Sequence, residues 1–261
     1  MMKKNILNKV VLILCFAVCV SGQTKDDTIV IQAKDLELKN IKNGNFSYLV
    51  YNKKSKESPI GKTYLVKMKV ESKIYNNKPA IAITQKWESE GDVIHTAYTV
   101  FDAKDFSTLF HDTFWKPLGY STKFDFENRK VSFDGNVPEK DKEKSEQGFN
   151  ESFGKYNLNW HADLTVFMLL PYKDNRKFKI NFYDPGFSKA EEVLYSVIGS
   201  DVLTGSSGEK IECWILEHRS DKYEGYQRFW ISKKTREVLK EEDLYNGQYR
   251  YKLKLAVSEE N

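Results

Sequence analysis

The sequence predicts a mostly all-β protein: an antiparallel, strongly curved sheet or open β-barrel with one short helix as a plug. Three observations carry this. Apolar and polar residues alternate with period two along most of the chain, the mark of strands with one buried face. Turn residues separate these runs at even spacing, without the intervening helices that a parallel α/β sheet needs. Some runs are apolar at consecutive positions, Phe229-Trp230-Ile231 and Cys213-Trp214-Ile215-Leu216, and so need cover on both faces.

The chain starts with a targeting pattern. Lys3, Lys4 and Lys9 precede an uncharged apolar run from Val10 to Val20, too short to span a bilayer, and Val20-Ser21-Gly22 offers a small-residue cleavage site. Residues 1–22 therefore read as a secretory signal peptide, and the mature protein as soluble and exported, periplasmic or secreted. Two alternatives remain: an uncleaved anchor, and a lipid anchor through Cys19 or Cys15. The formal charge of +4 is mostly leader. Without its three lysines the chain holds 38 basic and 37 acidic residues, a balance that argues against a nucleic-acid partner. Cys213 is the only cysteine after residue 22, so the core and not a disulfide must hold the fold. Residues 23–261 are long enough for one β-rich domain.

Strands are expected at Phe46–Tyr51, Tyr64–Glu71, Ala80–Trp87, His95–Phe101 and around Phe124 and Phe126. Asn76-Asn77, Glu90-Gly91-Asp92 and Asp134-Gly135-Asn136 mark turns. Residues 135–159 are polar, charged and poor in aliphatics, and read as a long surface loop. Asp163 can cap a short helix that sets Leu164, Phe167 and Met168 on one face and ends at Pro171. Strands resume at Phe178–Tyr183, Val193–Ile198 and Ile211–Leu216. A meander follows: Gln227–Ser232, Arg236–Tyr245 and Gln248–Val257. Asn246-Gly247 is a type I′ hairpin signal. It sets Leu244 opposite Tyr249, Asp243 opposite Arg250, Glu241 opposite Lys252 and Val238 opposite Leu255. The charge pairs then share one face, expected to be wet, and the apolar residues share the other.

Val197-Ile198-Gly199, Val202, Gly208, Glu212-Cys213-Trp214, Phe229-Trp230-Ile231-Ser232 and Arg236-Glu237-Val238-Leu239-Lys240 resemble the domain of unknown function DUF3108. The short helix before Phe178-Lys179-Ile180-Asn181-Phe182 fits the same order of elements. The resemblance spans Phe46 to Val257 and implies secreted or periplasmic bacterial proteins. It also implies a fold similar to periplasmic lipoprotein carriers, an open curved sheet around a helical plug with an apolar interior. No catalytic residues come with it.

Little in the sequence points to catalysis. His95, His111, His161 and His218 lack metal-ligand spacing, so no metal is expected. His111 and Asp112 are neighbours on a strand and point to opposite faces. Cys213 beside Trp214 reads as a small buried hydrophobe. The Gly205–Gly208 loop lacks a following helix and lysine for a phosphate, and Gly-x-Ser-x-Gly is absent. No catalytic, cofactor or metal residues are assigned. Aromatic residues make up 14% of the chain. Most would fill a β core, but some would line a cavity. Phe110, Phe114 and Trp115 gather with Leu118 and Tyr120 around Pro117, as a loop at the mouth of a curved sheet. With Trp214, Phe229 and Trp230 they are the candidate ligand-binding residues.

The function expected is a non-enzymatic cell-envelope protein that holds an apolar or amphipathic ligand in a curved sheet. Its partners would be a lipid, a lipid-modified protein or another envelope component. One alternative is a fully packed protein-interaction module. The other is a hydrolase that uses scattered acids and histidines.

Overall fold

A computed structural model describes residues 27–205, 207–220 and 224–256. The leader, Cys19 and part of the Gly205–Gly208 loop lie outside the described residues. Among those described, fifteen strands form one sheet that does not close. Its strands are β1 (Thr28–Val30), β2 (Gly44–Lys53), β3 (Thr63–Tyr75), β4 (Lys78–Ser89), β5 (Asp92–Asp102), β6 (Thr108–Trp115), β7 (Tyr120–Asp125) and β8 (Lys130–Asp134). After them come β9 (Leu158–Asn159), β10 (Lys177–Tyr183), β11 (Glu191–Thr204), β12 (Lys210–His218), β13 (Gly225–Ser232), β14 (Val238–Tyr245) and β15 (Gln248–Leu255). The spatial order is β1-β10-β11-β12-β13-β14-β15-β2-β3-β4-β5-β6-β7-β8. Pairing is antiparallel apart from β1 and β9, which both run parallel to β10. A crossover sets β15 beside β2 and joins the C-terminal strands to the N-terminal ones, and another sets β1 beside β10.

Two helices lie on this sheet, α1 (Glu139–Ser152) and α2 (Asp163–Met168). α2 is the expected plug. Leu164, Val166 and Phe167 are buried, with Leu169 and Leu170 just beyond. They pack against Phe46, Val66, Ile83, Phe182, Leu216 and Phe229 from strands all round the sheet. Phe167 lies 4.6 Å from Phe229 and 5.0 Å from Tyr195, ring centroid to centroid.

α1 corrects the expected surface loop at 135–159. Residues 139–151 are mostly strong helix formers, with Glu139 and Asp141 in the first turn, where the helix dipole favours acids. Lys142 pairs with Glu139, and the Gln147 amide donates to Glu151. The buried face is Ser145, Gly148, Phe149 and Ser152, a helical period built from one apolar side chain and three small residues. A hydrophobic pattern cannot register it. Phe149 meets Phe124 at 5.6 Å and packs with Tyr183, so α1 bridges the gap between β7 and β10 that the open sheet leaves. A Cβ on Gly148 would sit 3.3 Å from the Ser188 carbonyl oxygen and 3.6 Å from Lys189 Cα, both backbone. Gly148→Val should therefore lower stability by about 1–3 kcal/mol through overpacking, read as a lower urea midpoint at unchanged m-value.

The Asn246-Gly247 turn is left-handed at both residues, with φ of 47° and 81°. It sets the expected pairs Leu244↔Tyr249, Asp243↔Arg250 and Glu241↔Lys252. The β14–β15 ladder ends at Lys240↔Leu253; Val238 pairs with Ile231 of β13, not with Leu255. The faces are the reverse of expectation. Glu241, Asp243 and Lys252 are 1%, 8% and 5% exposed and point inward, while Tyr249, Tyr251 and Leu253 lie half-buried outside. Outside, Tyr251 stacks on Tyr51 at 5.1 Å and on Tyr249 at 6.1 Å. Arg250 and Lys252 meet Glu241 and Asp243 inside, so the charged outer face expected of the last strand is absent. Phe229, Trp230 and Ile231 are all buried, as their run implied.

Candidate functional site

Inward charges from β15 meet the N-terminal turn of the plug. Glu241 lies 2.5 Å from Lys252 Nζ and 2.5 Å from Arg250 Nη2. Arg250 Nη2 also lies 2.7 Å from Asp243, and its Nε donates to the same carboxylate at 2.8 Å. Asp163, at the start of α2, feels the same Lys252 and Arg250 charges. Three carboxyl groups thus share two cations in an interior where an unpaired charge is costly. Burial works to raise Glu241, but Lys252 and Arg250 outweigh it and hold its carboxyl below the usual range. Burial, then the adjacent Glu241 charge, pushes Asp243 up. Burial also raises Asp163, against the pull of Lys252.

On the opposite wall a row of imidazoles crosses from sheet to plug. His95 on β5 lies 5.5 Å from His161, and His111 on β6 lies 4.6 Å from His161, ring centroid to centroid. His95 Nδ1 is 2.8 Å from the Phe114 carbonyl, which fixes Nδ1 as the protonated nitrogen. His111 Nδ1 is 2.8 Å from Thr99 Oγ1. Burial, then the neighbouring His161, lowers His95 to about 4, against the contrary pull of its bond to Phe114. The same two causes put His111 well below the ordinary range. Asp184, in the turn after β10, holds an oxygen 3.2 Å from His161 Nε2, out of line for a hydrogen bond. Asn159 accepts from the His161 amide, and the Gln85 side chain donates to the His161 carbonyl.

Between these two walls lies a pocket of about 260 Å³. Trp87, Trp115, Trp160 and Phe187 supply aromatic walls, Val66, Met68 and Leu164 the aliphatic floor. Its polar lining is Gln85, His95, His161, Asp163, Asp184, Arg250 and Lys252. His95 stacks on Trp115 at 4.4 Å, and the Arg250 side chain is 39% exposed. An open groove of about 690 Å³ adjoins it, sharing Trp160 and Asp184.

Of the six candidate ligand residues, Trp115 alone lines this pocket. It sits on β6 with Phe110 and Phe114, where a mouth loop was expected; the turn itself is confined to 116–119. Phe110 and Phe114 alternate with the inward His111, Thr113 and Trp115, and Phe110 packs outside against Tyr75 and Tyr98. Trp214 faces Tyr172 at 6.3 Å with Lys233 over its ring. Phe229 is 1% exposed beneath Phe167. Trp230 donates to Asp201 and lies under Lys240. The site's histidines and charges escaped sequence reading, because strand order and the plug bring His95, His111 and His161 together across long separations. The one available signal was the charge pairing of the hairpin, whose face was misassigned.

His218 stays apart, 2.9 Å from the Leu194 carbonyl. Asp112 faces away from His111, 3.8 Å from Lys123. Burial pushes the Cys213 thiol up to about 11, which leaves it an inert thiol. Among the described residues no serine, threonine or cysteine lines the pocket, and no group of three His, Cys, Asp or Glu side chains is placed to hold a metal ion. Nor, among them, is any helix long and apolar enough to cross a membrane.

A family model described as a protein of unknown function, DUF3108, matches residues 47–254. The chain belongs to the DUF3108 family. The matched span agrees with the resemblance read from Phe46 to Val257, and it contains every pocket residue of this DUF3108 chain. No curated protein matches it. Two solved structures are similar to this DUF3108 protein. One is a beta-barrel-like protein of the domain of unknown function DUF1849 from Brucella abortus, 9% identical over 81% of this chain and 95% of that one, with a TM-score of 0.36. The other is the hypothetical lipoprotein YmcC from Escherichia coli K12, 11% identical over 84% and 90%, with a TM-score of 0.29.

Proposed function

We propose that this protein is an exported, non-enzymatic binder of a small amphipathic ligand, held between the plug turn and the inner face of β3–β6 and β15. The observation that carries the reading is the pocket's composition: three tryptophans and a phenylalanine facing a few converging polar groups, the usual make-up of a small-molecule site. Its volume, about 260 Å³, lies just below the usual range for such sites. α2 fills the rest of the interior, so the pocket takes a small molecule or one end of a lipid or lipid-modified partner. The leader pattern at residues 1–22 supports export.

Native mass spectrometry of protein gently released from its source tests this. A retained small molecule is expected, and Trp115→Ala should weaken its binding about tenfold or more by removing one aromatic wall. If repeated preparations carry nothing, and wild type and Trp115→Ala take up an apolar dye equally, the binding reading fails. The filled centre around Phe167 would then favour a packed interaction module.

A further inference from the structure

We propose that residues 158–168 form an acid-sensitive plug: protons entering the imidazole row His95–His161–His111 drive the plug's first turn off β5 and β6 and open the pocket. His161 is the middle member, carried by the plug, while His95 and His111 are fixed to the wall by their Nδ1 contacts. At centroid spacings of 4.6 and 5.5 Å, two imidazolium rings in this row repel across the seam. Asp184 at 3.2 Å can balance one of them, not two. From the other side the turn faces Asp163 with Arg250, Lys252, Glu241 and Asp243, where the cations are already engaged by carboxylates.

The two ends of the plug are held by different contacts. Its start is tied by the two-residue β9 ladder, by the Gln85 contact to His161 and by Leu158, Ala162 and Leu164 in the core. Its end is locked by Phe167 in the core, by the Glu37 amide on the Leu169 carbonyl and by the Asn40 side chain on the Met168 carbonyl. Only the first turn carries an imidazole of the row, so the repulsion acts there and leaves the end seated. Trp160, His161, Asp163 and Leu164, all pocket walls, would swing with that turn.

Amide hydrogen exchange of the full chain, corrected for the intrinsic pH dependence of exchange, tests this at pH 7.5 and 5.0. Expected is a loss of protection over residues 158–164 at pH 5.0 at least tenfold larger than the loss in β3 and β4, and a much smaller excess in His95→Gln and His111→Gln. Unchanged protection over 158–164, or a loss shared equally by all strands, overturns the proposal. So does a full response in both variants, which would assign the effect to Asp163, Asp184, Glu241 and Asp243. If His111→Gln does not fold, wild type and His95→Gln decide alone. No ligand enters this readout, so it can fail without touching the binding reading.

Discussion

Lys252→Met is expected to destabilise the protein by about 3–5 kcal/mol, as removal of one partner from a buried ion pair does. Lys252 is 5% exposed, and its ammonium is 2.5 Å from the 1% exposed Glu241 carboxylate. Truncation leaves that carboxylate sharing Arg250 with Asp243. Adding Glu241→Leu to Lys252→Met should restore most of the loss, because no uncompensated charge then stays buried. Urea midpoints of the two variants and wild type at pH 7 measure this. If the charged face were wet, the single change would cost under about 1 kcal/mol, and that result would count against the inward orientation.

The second large effect is acid sensitivity carried by His95. Its folded value of about 4 lies below the ordinary 6.5. Between those pH values the unfolded chain holds a proton that the folded chain does not, so stability from this group falls as pH drops from 6.5 to 4. The gap corresponds to about 3 kcal/mol. His111, lower still, adds a loss of the same sign. Asp163 and Asp243 are raised in the fold and act with the opposite sign, gaining stability as pH falls through their folded values. The clean quantity is therefore a difference. Wild type should lose about 3 kcal/mol more than His95→Gln between pH 6.5 and 4, in parallel urea titrations. Equal losses would show that His95 is not held neutral by burial.

The fold was legible because period-two alternation and left-handed turn residues are local signals. The Asn246-Gly247 hairpin, its register and the α2 plug could all be read from neighbouring residues. Helix α1 could not, since Ser145, Gly148 and Ser152 bury a face without hydrophobicity. Register also leaves open which face turns inward, and chemistry of residue type suggested the wrong one. Charges that pair across strands can sit inside, as Glu241 with Lys252 and Asp243 with Arg250 do here. Tyrosines that stack on one another can sit outside. Of the site, Trp115 was read in advance. Its partners Trp87, Trp160, His95 and His161 come from separate segments, and only the closing of β15 onto β2 and the return of the plug bring them together with Arg250 and Lys252.

The five tryptophans offer the most direct test of where a ligand sits. Each indole N–H gives its own proton–nitrogen correlation, and 8-anilinonaphthalene-1-sulfonate can be titrated as an amphipathic probe. Shifts are expected at Trp87, Trp115 and Trp160, with Trp214 and Trp230 unmoved. Shifts confined to Trp214 and Trp230, or none at any of the five, would contradict binding in this pocket.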